Sequence, residues 1–168
     1  MSDKADRVMI FIDGSNLYHS LKHFFKRTDI DIGKFSNKLL DKRRLVRIYY
    51  YNAGVGMREE PERYRDQQKF FAGITAIPYC ELRLGRLVYN NWPSAPPYEK
   101  GVDILLATDM ITHGFKNNYD VGAIQAVKDN GKNLEVALFG KERTSMQLRK
   151  VSDRVIDINK RLLNNCWK

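Results

Sequence analysis

The chain has 168 residues, 43% apolar and 29% charged, which fits one globular domain with a real core and excludes a low-complexity or disordered chain. Its 29 Lys and Arg against 20 Asp and Glu leave a formal charge of +9, pointing to a polyanionic partner such as nucleic acid. There is no uncharged apolar run of the roughly 20 residues a membrane span needs, MSDKADR lacks a signal peptide's apolar segment, and Cys80 and Cys166 form no metal-like pair. A cytoplasmic protein with reduced thiols and no structural zinc is therefore expected.

In chain order, Val8 to Ile12 is a continuous apolar run, the pattern of a strand buried on both faces of a mainly parallel sheet. Asp13 ends it. Gly14 allows a tight exit, and Ser15 or Asn16 can cap a helix whose Leu17, Leu21, Phe24 and Phe25 share one face. Open α/β sheets bind ligands at the carboxyl ends of their strands, so Asp13 is a functional candidate; a capping or turn aspartate is the plainer reading. His19 and His23, four residues apart, have no third ligand nearby in sequence and read as a solvated helix face.

Ile32 to Leu40 fits a short helix, and Leu45 to Tyr51, rich in β-branched and aromatic residues, a second strand. Gly54 and Gly56 form a GxG without the third glycine or lysine of a phosphate loop, and read as a flexible connection. Pro61 opens a helix to about Ala72, stopped by Gly73; its Arg63, Arg65 and Lys69, with Arg58 just before it, can meet a nucleic-acid backbone. Tyr79 to Tyr89 reads as a strand broken or turned at Gly85. Pro93, Pro96 and Pro97 make the following segment a loop, where Trp92 and Tyr98 either stack on bases or pin the loop itself.

Glu99 to Gly114 is predicted as a helix, with Asp103 in its first turn and Asp109 about 120° away around the axis. The two carboxylates cannot both point straight into one site. Asp103 is the better ligand candidate, although acidic residues also settle at helix starts to meet the dipole. His113 has no evident partner. Tyr119 to Gly122 runs directly into a helical pattern, Ala123 to Asp129, followed by a strand at Asn133 to Phe139. Thr144 and Gln147 make a capping box, with Leu148, Val151, Val155 and Ile158 marking a final amphipathic helix.

The segments Ile12-Asp13-Gly14-Ser15-Asn16-Leu17, Lys100-Gly101-Val102-Asp103 and Ala107-Thr108-Asp109-Met110, with Asn118-Tyr119-Asp120 after them, resemble the NYN domains of the LabA-like group, within the PIN-like nuclease superfamily. The likeness runs from about Arg7 to Ile158. It implies a single NYN domain over 1–168 with a core at about 7–158 and a tail at 159–168, folded as a PIN-like, Rossmann-like three-layer α/β/α sandwich around a mainly parallel sheet. It also implies an acidic site that binds Mg²⁺ or Mn²⁺ and cleaves RNA. Asp13 and Asp103 would be metal ligands and catalytic residues, Asn16 would support Asp13, and Asp109 would be a third ligand.

The chain departs from that pattern in one place. NYN domains of this group follow the Tyr-Asp position with an apolar strand and a Ser-Gly-Asp-x-Asp-Phe-like segment that completes the acidic site; here only Val121 and Gly122 precede Ala123. Either the strand and its carboxylates are lost, or a stretch of chain is missing from the sequence at that point. The cost of unpairing a central sheet favours the second. The expected activity is a metal-dependent endoribonuclease or related phosphodiesterase on single-stranded RNA, with Lys100, Arg58, Arg65 and Trp92 as nucleic-acid contacts. The alternatives are an inactive RNA- or protein-binding module, for which a homo-oligomer or protein partner is open, and a nucleotide-binding regulatory domain, which the absence of GxGxxG disfavours.

Overall fold

The opening apolar run becomes the central strand of a mixed α/β fold. In the computed structural model, which describes residues 6–119, 121–122, 132–139 and 146–168, the elements are β1 (Arg7–Asp13), α1 (Gly14–Phe25), α2 (Ile32–Leu40), β2 (Arg44–Gly54), α3 (Pro61–Thr75), β3 (Cys80–Val88), β4 (Tyr98–Lys100), α4 (Val102–Phe115), β5 (Val121–Gly122), β6 (Asn133–Phe139), α5 (Met146–Val151) and β7 (Arg154–Ile158). The strand order is β4-β3-β2-β1-β5-β6-β7, and every pair is parallel except β3 with β4.

Alternation along β1 and β2 divides the core in two. Val8, Ile10, Ile12, Ile48 and Tyr50 pack with Leu17 and Leu21 of α1, Ile32 and Phe35 of α2, and Ile74 of α3. Met9, Tyr49, Tyr51 and Ala53 pack with Val102 and Met110 of α4 and with Tyr119. Both strands are thus buried on both faces, as their unbroken apolar runs require. Residues 159–168, a tail in the sequence reading, add Leu163 and Cys166, both fully buried, to the first cluster. They are tied on by Asp31 N donating to Cys166 O and Lys168 N to Asp29 O. Cys80 is half-buried, and desolvation pushes its thiol up to about 11.

Several expectations are corrected. β3 runs unbroken through Gly85, because it is paired with β2 on one side and β4 on the other. The glycine is there for close approach: a Cβ would lie 2.8 Å from the Lys100 carbonyl and 2.7 Å from Val102 Cγ2. Glu99 and Lys100 are strand, not helix; Gly101, at φ +90°, turns the chain into α4. α3 continues past Gly73 to Thr75, since nothing crowds that position and no Pro or αL cap intervenes. The Gly54–Gly56 connection is fastened rather than flexible: Val55 N donates to Gln67 Oε1, Gln67 Nε2 to Ala53 O, and Gly56 N to Tyr89 Oη.

The predicted final helix also ends early, at Val151. Asp153 binds Leu134 through both its amide N and its Oδ2, clipping the chain onto β6. β-branched Val155, Ile156 and Ile158 then form β7 instead of another helical turn. The expected helix over Ala123 to Asp129 and the Thr144 cap lie outside the described residues.

Among the described residues, the sheet passes between β1 and β6 through Val121 and Gly122. Val121 is partnered by Val8 and Asn133, and Gly122 by Leu134. The short stretch at Val121 therefore keeps the sheet continuous. A second connection reinforces it: Arg43, which also donates to the Leu39 and Leu40 carbonyls, makes a bidentate pair with Glu135 of β6 at 2.8 and 2.9 Å, with both side chains about 15% exposed. Replacing Arg43 with alanine leaves a mostly buried carboxylate without its main partner and is expected to cost about 3 kcal/mol. The urea midpoint should fall with the slope unchanged; an unaltered midpoint would show that the Arg43–Glu135 pair adds nothing to the stability of the sheet.

Candidate active site

Parallel pairing brings the carboxyl ends of β1, β2 and β3 to one edge, where α1 begins. Asp13, the last residue of β1, caps α1: Oδ1 accepts from Asn16 N at 2.9 Å and Oδ2 from Asn16 Nδ2 at 2.5 Å. The capping reading and the functional one are compatible, because each carboxylate oxygen keeps a further lone pair. Ser15, in the same first turn, favours the charged form of the Glu99 carboxyl of β4. Asp103 stands exposed in the first turn of α4, just beyond the Gly101 turn.

Glu99 feels both aspartates. Its carboxyl is raised above the ordinary range, first by desolvation and then by the negative charge of Asp13; Ser15 opposes the shift and Asp103 adds to it. Carboxylates from β1, β4 and α4 thus share one electrostatic field at the carboxyl edge. Among the described residues no three His, Cys, Asp or Glu side chains form a ready metal cage. Glu99 was missed in the sequence because it was placed in a helix. Its signal was local: Tyr98-Glu99-Lys100 is bounded by Pro97 and Gly101, the punctuation of a short strand.

Asp109 belongs to a different network. Tyr51 Oη donates to its Oδ2 at 2.9 Å, and Arg83 Nε lies 3.2 Å from the same oxygen in an ion pair without hydrogen-bond alignment. Arg83 also pairs with Glu81 and lies over the Tyr49 ring. His113 has partners after all: Nε2 bonds Tyr49 Oη and Nδ1 bonds Asn118 Nδ2, each at 2.9 Å. Burial raises the Tyr49 and Tyr51 phenols and lowers the His113 imidazolium.

Lys100 is exposed on β4, Arg58 in the turn after β2, and Arg65 on α3. Trp92 sets its ring edge-on to Tyr89, 5.7 Å between centroids, and is 39% exposed. It therefore pins its loop while keeping one side open. His19 and His23 are exposed on α1.

A mainly parallel α/β domain with acidic side chains at the carboxyl edge defines a fold-and-site class shared by many hydrolases and nucleotide binders. The family model of the NYN domain matches residues 7–159, and the chain belongs to that family, which lies within the PIN-like nuclease superfamily. The crystal structure of a protein of unknown function from Vibrio parahaemolyticus is similar over 95% of this chain and 97% of that one, with a TM-score of 0.65 and 18% identity, a likeness of fold. No curated protein matches. No helix among the described residues is long and apolar enough to cross a membrane.

The His113 environment has a pH consequence. With its folded pKa below the unfolded value of about 6.5, the unfolded chain takes up the proton first as pH falls. Stability is fully present above that value and is lost as pH drops toward the folded pKa. Urea midpoints measured from pH 7.5 to 5 should fall more steeply for the wild type than for His113→Gln; parallel curves would remove His113 as the cause.

Proposed function

We propose that this domain is a metal-dependent endoribonuclease, or a closely related phosphodiesterase, acting on single-stranded RNA. The observation that carries the reading is Asp13, fixed by Asn16 at the carboxyl end of β1 in a chain that matches the NYN domain over residues 7–159, with the exposed Asp103 in the first turn of α4. Excess negative charge at that edge is what a divalent cation relieves. An all-oxygen donor set fits Mg²⁺ or Mn²⁺ rather than zinc. Such an ion supplies an activated water and neutralises the phosphate.

The protein's own part is positional. Asn16 holds both Asp13 oxygens, fixing the carboxylate at the end of β1. Ser15 favours the charged form of Glu99. Asp103 is carried by α4, whose start is set by the Gly101 turn. Lys100, Arg58, Arg65 and the open side of Trp92 supply contacts that hold the strand without reading its sequence. Asp109, which the resemblance implied as a third ligand, here joins α4 to β2 and β3 through Tyr51 and Arg83. The LabA-like group within the family, a three-layer arrangement of the two core clusters and a cytoplasmic RNA substrate complete the reading.

A second reading, an inactive module that binds RNA, a protein or another copy of itself, draws on the absence of a ready three-ligand cage among the described residues and on the two-residue β5. Labelled single-stranded RNA incubated with Mn²⁺, Mg²⁺ or EDTA separates the two. Metal-dependent cleavage is expected, with a loss of at least about a hundredfold in Asp13→Asn and a smaller loss in Glu99→Gln. Identical traces from wild type and Asp13→Asn would transfer the protein to the binding reading.

A further inference from the structure

The β3–β4 pair presents two unlike faces. Its register sets Arg86 opposite Lys100, Leu87 opposite Glu99, and Val88 opposite Tyr98. By alternation Leu87 and Glu99 share one face, while Leu84, Arg86, Val88, Tyr98 and Lys100 share the other. On the first face Leu87 packs on the α4 side of the core and Glu99 joins the acidic site. The second face is open: Leu84 is 44% and Tyr98 52% exposed, and both cations are exposed.

Like charges directly opposite on an antiparallel pair destabilise it. Neither Arg86 nor Lys100 has an ion-pair partner among the described residues. The ribbon therefore holds two facing cations with no ion-pair partner among the described residues, beside an exposed phenol ring. Its outer strand carries Glu99 between Tyr98 and Lys100. Because β4 is the sheet edge, a flexible chain can pass from this face around the strand to the carboxylates.

We infer that this ribbon face is a binding subsite for single-stranded RNA to one side of the bond to be cut: Arg86 and Lys100 hold phosphates and Tyr98 stacks on a base. The inference rests on the nuclease reading of Asp13, Glu99 and Asp103. Charge complementarity selects a polyanion. An exposed flat ring beside the cations selects unpaired bases, since a base within a duplex has no free face to offer.

The test is anisotropy of an end-labelled ten-nucleotide RNA at several salt concentrations, in EDTA so that nothing is cut. Arg86→Gln with Lys100→Gln should reduce the slope of log affinity against log salt by about 1.4, two cations at roughly 0.7 each for single strands. Tyr98→Ala should weaken binding about tenfold, with Tyr98→Phe and Tyr98→Trp close to wild type and a blunt duplex indifferent to all three. An unchanged slope together with unchanged Tyr98→Ala affinity overturns the subsite; if Asp13→Asn still abolishes metal-dependent cleavage, the nuclease reading survives that failure. A reduced slope with no loss in Tyr98→Ala overturns the stacking role. Wild-type protein that neither binds nor cuts RNA overturns both.

Discussion

Among the described residues, β6 and β7 are joined to β1 through the backbone of Val121 and Gly122. These two residues carry the parallel pairing from β1 to β6, and β7 pairs with β6. Fastenings from outside the sheet reinforce that crossing. Arg43 grips Glu135 across the α2–β2 corner, Arg154 approaches Glu135 and Asp41, and Phe24 and Phe25 lay their rings against Phe139. The last ten residues return to cover the same side with Leu163 and Cys166. The integrity of the sheet is thus divided between backbone pairing and long-range side-chain contacts.

The opposite half is built differently, and it is the half that carries the acidic edge. There β1, β2 and β3 pair over long registers and the helices seal both sides, so the carboxyl edge is a rigid platform. Asp13 is fixed by its own helix. The β4 turn that carries Glu99 and leads to Asp103 comes close to β3 because Gly85 has no side chain and Gly101 accepts a left-handed conformation. The network of Tyr51, Asp109 and Arg83 anchors α4 below that turn. Buried polar groups of this kind hold position strongly when satisfied.

What the sequence disclosed followed the strength of local signals. β1 was legible because five apolar residues in a row admit few structures, and α2 and β6 because their periodicity and breakers agree. The place of Asp13 at the end of β1 was legible for the same reason, but the choice of cap for α1, among Ser15, Asn16 and Asp13 itself, was not. β7 was not, because Val151, Val155 and Ile158 satisfy helical spacing as well as strand propensity, and the deciding contact, Asp153 with Leu134, lies 19 residues away. Glu99 was hidden by a three-residue strand whose identity depends on its pairing with β3. The partners of His113 come from β2 and from the residues after α4, an arrangement no spacing rule encodes.

The burial of the two cysteines bears on how the molecule can be handled. Cys166 is fully enclosed, and the Cys80 thiol, at about 11, leaves only about one molecule in ten thousand as thiolate at neutral pH. Mild alkylating reagents therefore meet almost no native nucleophile. A single cysteine introduced at an exposed position of β4 or α3 can accept a fluorophore or spin label without first stripping the native ones. The chain comes with its own quiet background for watching the acidic edge.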